Sequence, residues 1–259
     1  MSTSIQLHRE GAVATITLNR PEVMNAFNLE MAQLLWDHLR ELASTREIRL
    51  VFVRGAGRAF SAGGDIKAMH QIADLPAFFW DISQIIHEIV LLLRRMPQPV
   101  IAVCNGPVSG VAFGLVTACD LRMASTQATF NAGTTRLGLA PNGGLTYFLP
   151  RLIGRGRAEE LILSGEKLGA EQALAWGLVN QVVPPEALEE AVQEYQEFLL
   201  KRPPFSQEKF KWLLRSDDRD LAEHLDREQD AISQSAATQD FREGIQAFIE
   251  KRAPNFKGQ

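Results

Sequence analysis

Hydrophobic and polar positions change period several times along this chain. Near the start they alternate: Val13, Ile16 and Leu18 sit among small or hydroxyl residues just after Glu10-Gly11, the mark of a hairpin turn between two short strands. Pro21 stops the second strand, because proline cannot donate to a ladder. From Asn28 to Leu42 the period lengthens to that of a helix, with Leu29, Leu34, Leu35, Leu39 and Leu42 on the apolar spacing and Asn28 placed as N-cap. Ile48 to Val53 is a β-branched run closed by Gly55, which predicts a buried strand. A long amphipathic helix around Phe78 to Arg95 leads into Pro99 to Cys104, where the buried-strand signature returns. Strand, glycine turn and helix recur at Val111 to Asp120, followed by Leu121 to Ala124.

Each unit reads as strand, strand and helix at a loose spacing, with no literal repeat. That predicts an α/β core in which glycine-rich turns carry strands into helix N-termini. After about Pro184 the strand runs stop and long helical patterns rich in Glu, Gln, Lys and Arg take over. Pro203-Pro204 punctuates that change. The expected organisation is a core over residues 1–199 and a C-terminal helical lobe over 200–259.

Composition narrows the classes. The chain has 259 residues, 46% hydrophobic and 22% charged, which suits one large globular domain or a domain with an appended lobe. Its 27 Lys and Arg against 31 Asp and Glu leave a net charge of −4, against the basic surface of a general nucleic-acid binder. Only Cys104 and Cys119 are present, outside any C-x-x-C spacing, so neither a disulfide framework nor a zinc site is signalled and a reducing compartment is expected. The N-terminus lacks an apolar stretch of the secretory kind, and the greasiest run, Ile85 to Leu93, is too short to span a bilayer. A cytoplasmic location with no membrane partner is the expectation.

Two glycine-rich segments carry the candidate chemistry: Gly55-Ala-Gly-Arg-Ala-Phe-Ser-Ala-Gly-Gly-Asp-Ile66 and Asn105-Gly-Pro-Val-Ser-Gly-Val-Ala-Phe-Gly114. Each follows a predicted strand and opens a helix. Glycine there lets the backbone approach a ligand, and a helix N-terminus offers unpaired N–H donors. Two tight strand-to-helix turns would read the same way. Neither segment matches G-x-G-x-x-G or the P-loop lysine pattern.

Further strings, in order, resemble the crotonase superfamily of enoyl-CoA hydratases and isomerases over nearly the whole chain. They are Ile16-Thr-Leu-Asn-Arg-Pro-Glu-Val-Met-Asn-Ala26, Gly57-Arg-Ala-Phe-Ser-Ala-Gly-Gly-Asp-Ile66, Asn105-Gly106 with Cys119-Asp120, and Leu137-Gly-Leu-Ala-Pro-Asn-Gly-Gly144. Leu163-Ser-Gly165, Ala175-Trp-Gly-Leu-Val179 and Glu243-Gly-Ile-Gln-Ala-Phe-Ile-Glu-Lys-Arg252 complete the series. The resemblance implies an α/β spiral of ββα turns, a C-terminal helical region that builds a homotrimer or hexamer, and a site for acyl-coenzyme A thioesters, the coenzyme A being part of the substrate rather than a cofactor.

It also implies roles. Two backbone N–H groups, at the positions of Ala62 and Val111, would stabilise the enolate oxygen of the thioester. Donors of that kind supply ~2.7–4 kcal/mol each. Val111 replaces the usual glycine, and its β-branch narrows the approach to the carbonyl. Ala26, Ala62, Gly63, Gly64, Asp65, Ile66 and Lys67 match the stretches that hold coenzyme A. Asp65 reads equally as the N-cap of the next helix. Met24 stands where relatives often carry a basic residue, for which Lys67 or Arg58 would compensate.

The acid–base machinery departs from the pattern. The two hydratase glutamates correspond to Gly114 and Thr134, and hydration needs a carboxylate pair to hold water and move its protons. A third position, often aspartate in relatives, is Asn142. The surrounding string looks most like the phenylacetate-pathway isomerases and the hydroxyisobutyryl-CoA hydrolases. A neutral amide serves as neither base nor nucleophile, and Asn before Gly is also an ordinary turn pair. His70, Asp81, His87 and Glu88 are the other titratable candidates on the following helical stretch. Phe78, Phe79 and Trp80 fit an acyl pocket or core packing alike.

The reading is an acyl-CoA enzyme that stabilises an enolate, with a double-bond isomerase favoured because one base can shuttle a proton. The alternatives are a hydratase or hydrolase with relocated acids and a catalytically silent thioester-binding protein.

Overall fold

The computed structural model describes residues 3–201, 207–208, 211 and 218–254. The chain opens with the expected hairpin: β1 (Ile5–Glu10) pairs antiparallel with β2 (Val13–Leu18), and Gly11 turns between them at φ +55°. Every further strand of the main sheet is added in parallel. With β3 (Leu50–Gly55), β4 (Val100–Cys104), β6 (Leu121–Ser125) and β9 (Gln181–Val183), the order is β1-β2-β3-β4-β6-β9. All of β4 is buried, which is why its residues form a continuous apolar run rather than an alternating one. A smaller sheet joins β5 (Val108–Ser109), β7 (Thr129–Asn131) and β8 (Leu168–Gly169), the second glycine segment thus containing a short strand of its own.

Helix α1 (Leu29–Ser44) starts where expected, its first turn capped by the Asn28 side chain, which accepts from the Met31 N–H. Its buried face is Met31, Ala32, Leu35, Leu39 and Leu42. Leu29, placed on that face by spacing, is exposed, because the residue beside the cap lies outside the first inward-facing turn. After the one-turn helix α2 (Ile66–Met69), α3 (Leu75–Arg95) crosses the core beneath α1. It reaches well beyond Ile85–Leu93 and is long and apolar enough to cross a membrane by length and composition. In this fold its Phe79, Ile82, Ile86, Ile89, Val90 and Leu93 are buried instead. Next come α4 (Val111–Ala118), α5 (Leu145–Ile153), α6 (Arg155–Ser164) and α7 (Ala170–Ala175).

On the far face of the sheet, α8 (Leu188–Leu200) packs Leu188 and Ala191 on Leu50, Phe52, Ile101 and Val103. The last helices, α9 (Asp218–Ala236) and α10 (Gln239–Glu250), place Leu221, Leu225, Ile232, Phe241 and Ile245 in the same core as α1 and α3. They extend the core rather than stand apart from it. The proposed punctuation at Pro203-Pro204 lies outside the described residues.

A buried charge cluster fastens this C-terminal region down. Lys211 Nζ lies 2.7 Å from Asp120 Oδ2 and donates to the carbonyls of Gln98 (2.7 Å) and Leu93 (3.2 Å). Asp120 also accepts from the Val100 N–H and faces Arg94 at 3.4 Å. Cys104 and Cys119 are free and buried, and burial pushes both thiols up, Cys119 to about 12. They pack and do not react.

Candidate active site

The loop after β3 owes its shape to a residue that patterning passes over. Met24 and Asn25 follow a 3-10 turn at Pro21–Val23, and both adopt left-handed backbone, φ 52° and 54°. Asn tolerates that region and Met does so only under constraint. The constraint is the fully buried Asn25 amide: its Nδ2 donates to the carbonyls of Ala56 (2.9 Å), Ala59 (2.9 Å) and Phe60 (3.2 Å), and its Oδ1 accepts from the Arg20 N–H. Ser61 Oγ closes the ring by donating to the Asn25 carbonyl. One short side chain therefore holds the first half of the first glycine segment, from Ala56 to Phe60. Three backbone carbonyls converging on one amide is a tertiary relationship, so spacing along the chain carries no trace of it.

Between this loop, α3, α4, the turn around Asn142 and the C-terminal helices lies a cavity of about 540 Å³. Its walls are mainly apolar, with Met69, Phe79, Ile82, Ile86, Leu139 and Ile232 among them. Phe79 thus serves the cavity and the core together, while Phe78 is half-buried and Trp80 largely exposed. Arg58, Lys67 and Lys167, all exposed, stand at the rim with Arg136, which is paired to Glu166.

The two glycine segments meet at this cavity, but the available donors are not the expected pair. The Ala62 N–H donates to the Met24 carbonyl at 2.9 Å and so is already engaged. The left-handed kink at Met24 is what aims that carbonyl. Two residues on, Gly64 borders the cavity and its N–H donates to no described residue, although Phe27 bridges the strand on either side of it. Val111, the first residue of α4, likewise borders the cavity with an unpaired N–H, as first-turn helical amides do. Of the two expected donors the Ala62 N–H is thus engaged, and the unpaired N–H groups on the cavity lining are those of Gly64 and Val111. Two unpaired N–H groups on the lining of one mainly apolar cavity can bind a single oxygen as it gains negative charge. Gly63, which does not line the cavity, sits at φ +91° with its α-carbon against the Ser109 carbonyl, and a Cβ there would come within 2.8 Å of that oxygen.

The polar wall opposite is neutral. Thr134 lines the cavity at the start of a 3-10 turn (Thr134–Leu137), and its Oγ1 is buried with no hydrogen-bond partner. Asn142, 5% exposed, also lines it; its Nδ2 donates to Ser83 Oγ on α3 (2.8 Å) and its Oδ1 accepts from the Gly143 N–H (2.6 Å). Gly114 does not reach the cavity. The Asn142-Gly143 backbone lies on top of it, so a Cβ at Gly114 would be 2.5 Å from the Gly143 carbonyl oxygen. A side chain there would need that turn to shift, so the position matched to a hydratase glutamate presents nothing to this cavity.

The only carboxylates lining the cavity among the described residues are Glu22 and Asp65. Glu22 is exposed at the rim. Asp65 caps α2 by accepting from the Ala68 N–H and pairs with Arg20 at 2.9 Å, so both of its oxygens are engaged in holding the loop. Ala26, Ile66 and Lys67 line the cavity beside it. His70, Asp81 and Glu88 are exposed and His87 is buried on a different face of α3, none of them lining this cavity.

Comparison with known proteins agrees with this architecture. The family model for enoyl-CoA hydratase/isomerase matches residues 8–259. The chain is 36% identical to the 1,2-epoxyphenylacetyl-CoA isomerase of Escherichia coli, with all of both chains covered. It is 33% identical to the trans-2-decenoyl-[acyl-carrier-protein] isomerase of Streptococcus mutans, over 96% of each chain. The crystal structure of an enoyl-CoA hydratase from Mycobacterium avium subsp. paratuberculosis superposes with a TM-score of 0.90 at 32% identity, covering 98% of both chains. On a match of this length in sequence and in fold, the chain belongs to the enoyl-CoA hydratase/isomerase family of the crotonase superfamily.

Proposed function

We propose that the protein is an acyl-CoA thioester isomerase that holds the thioester oxygen between the Gly64 and Val111 N–H groups while a double bond is moved along the acyl chain. The observation that carries this reading is the pair of unpaired N–H groups on a mainly apolar cavity whose opposite wall, among the described residues, carries Thr134 and Asn142 and no carboxylate pair. Removing a proton beside the thioester puts negative charge on its oxygen, where the two N–H dipoles lower the barrier. Returning the proton at another carbon completes an isomerisation and needs one shuttling base, whereas hydration needs two positioned acids. The rim cations Arg58, Lys67 and Lys167 complement the phosphates of coenzyme A, which enters as part of the substrate. Two relatives named as isomerases support the same choice. In this reading the protein acts in the cytoplasm and assembles as a homotrimer or hexamer.

The second reading, a silent thioester-binding protein, is favoured by the neutral wall of Thr134 and Asn142. A panel of enoyl-, dienoyl- and 3-hydroxyacyl-CoA thioesters, followed by absorbance and mass, separates the two. Isomerised product supports the first reading; tight binding with no turnover of any member supports the second. Water addition or thioester cleavage would point to acids or nucleophiles outside the described cavity wall.

A further inference from the structure

An isomerase needs a base, and among the described residues the inner wall of this cavity presents no free carboxylate or histidine. We propose that Asn142 is a self-modification site: its amide deamidates in the folded protein, through the neighbouring Gly143 nitrogen, to give an aspartate that serves as the base. The inference rests on the isomerase reading above.

The attacking nitrogen is held against the carboxamide. The Gly143 N–H donates to Asn142 Oδ1 at 2.6 Å, which keeps the nitrogen next to the group whose carbon it must reach once deprotonated. Glycine following the asparagine leaves that nitrogen unshielded by a side chain. Proximity of this kind converts a slow encounter into an intramolecular step. Gly143 N gives up its proton and bonds to the Asn142 side-chain carbon; the bond from that carbon to Nδ2 breaks, and the nitrogen leaves as ammonia. Water then adds to the cyclic imide and reopens it at the side-chain carbon. The net change is carboxamide plus water to carboxylate plus ammonium, with no oxidant, reductant or co-reactant.

The surroundings suit the product. The Gly143 N–H, restored when the ring reopens, is a donor for one carboxylate oxygen. Ser83 Oγ now accepts from Nδ2 and, being a hydroxyl, can turn and donate to the other oxygen. Among the described residues lining the cavity, neither carboxylate stands ready to oppose a new negative charge at Asn142, since Glu22 is at the rim and Asp65 is paired with Arg20. Reopening on the backbone side would instead insert an extra carbon into the main chain. The close packing of the Asn142 and Gly143 carbonyls on Gly114 disfavours that product.

The test compares freshly purified and aged folded protein, kept in warm, mildly alkaline buffer. Residue 142 is followed by peptide mass mapping, and turnover of a 3-enoyl-CoA thioester is measured on the same samples. The expected result is aspartate accumulating at 142 with activity rising in step, toward the level of Asn142→Asp, which should exceed fresh protein by ~10²–10⁴-fold. Asn142→Gln, whose longer side chain closes only a larger and slower ring, should gain nothing on ageing. The proposal is overturned if Asn142 stays intact in folded protein under conditions where denatured protein converts, or if isoaspartate is the main product. It is also overturned if Asn142→Asp or converted protein binds the thioester without turning it over, which leaves the acyl-CoA reading standing. Failure of every form to bind any acyl-CoA thioester overturns the parent reading instead.

Discussion

Gly114 and Asn142 compete for one space: a Cβ on Gly114 would stand 2.7 Å from the Asn142 backbone carbonyl oxygen. The turn around Asn142 thus fills the space that a side chain at 114 would need. A glutamate placed at 114 would meet that turn before it met the cavity.

Gly114→Ala tests this contact. Within α4, alanine should by helix propensity stabilise by about 1 kcal/mol. The overlap with two backbone carbonyls opposes that, and overpacking of a rigid core costs about 1–3 kcal/mol. The steric effect wins, so thermal unfolding should show a net loss of stability. Gly114→Glu should lose more and gain no hydration of crotonyl-CoA.

Asn25 offers a cleaner dissection of the loop. Asn25→Gly keeps the left-handed backbone and removes only the amide. Two buried carbonyls, those of Ala59 and Phe60, and the part-buried one of Ala56 lose their shared donor, each buried unsatisfied group costing about 1–3 kcal/mol, less whatever water recovers. Urea unfolding should show a loss of at least about 2 kcal/mol, and acyl-CoA affinity should fall because the Gly64 N–H is no longer held in place. Unchanged stability would remove Asn25 from its organising role.

The buried thiols predict a pH dependence. A cysteine whose folded pKa is raised stays protonated in the fold while its unfolded counterpart ionises. Its contribution is therefore complete below the unfolded value of 9.0 and is lost as pH rises toward the folded value, about 12 for Cys119. The slope is about 1.4 kcal/mol per pH unit for one group. Cys119→Ala should unfold with a visibly shallower decline above pH 9 than the unmodified chain, in parallel chemical-denaturation series.

Assembly can be checked without a substrate. Phe198, Phe248 and Ile249 are exposed on α8 and α10. An oligomer would cover apolar surface of that kind, and symmetric closure is the usual outcome. Light scattering at micromolar concentration should return a trimer or hexamer mass; a monomer mass would remove assembly from the account.

How far residues alone led can be judged from particular cases. The β1–β2 hairpin, the Asn28 cap and the buried strand before Cys104 were legible, because each follows from a local period or a turn residue. The crotonase likeness also rested on local strings. Hydrogen-bond pairing across the fold was not legible. Ala62 and Gly64 are two residues apart in one glycine-rich string, and only the Met24 carbonyl, aimed by a left-handed kink, decides which N–H remains unpaired. Asn25 looked like one letter of a motif because its partners lie more than thirty residues ahead. Gly114 read as a lost catalytic side chain, whereas the folded turn shows that the position has no room for one.

The central claim is that the Gly64 and Val111 N–H groups together hold the thioester oxygen. Infrared difference spectra of a bound acyl-CoA with an isotope-labelled thioester carbonyl read that contact directly, with Val111→Pro as comparison. Proline is tolerated at the first helical position and removes the N–H there together with the valine branch, so α4 should survive. The account predicts a carbonyl stretch moved to lower frequency in the unmodified protein and moved back toward the free value in Val111→Pro, with turnover falling about 10²–10³-fold. A carbonyl stretch equal to that of the free thioester, or one indifferent to Val111→Pro in a folded protein, would contradict it.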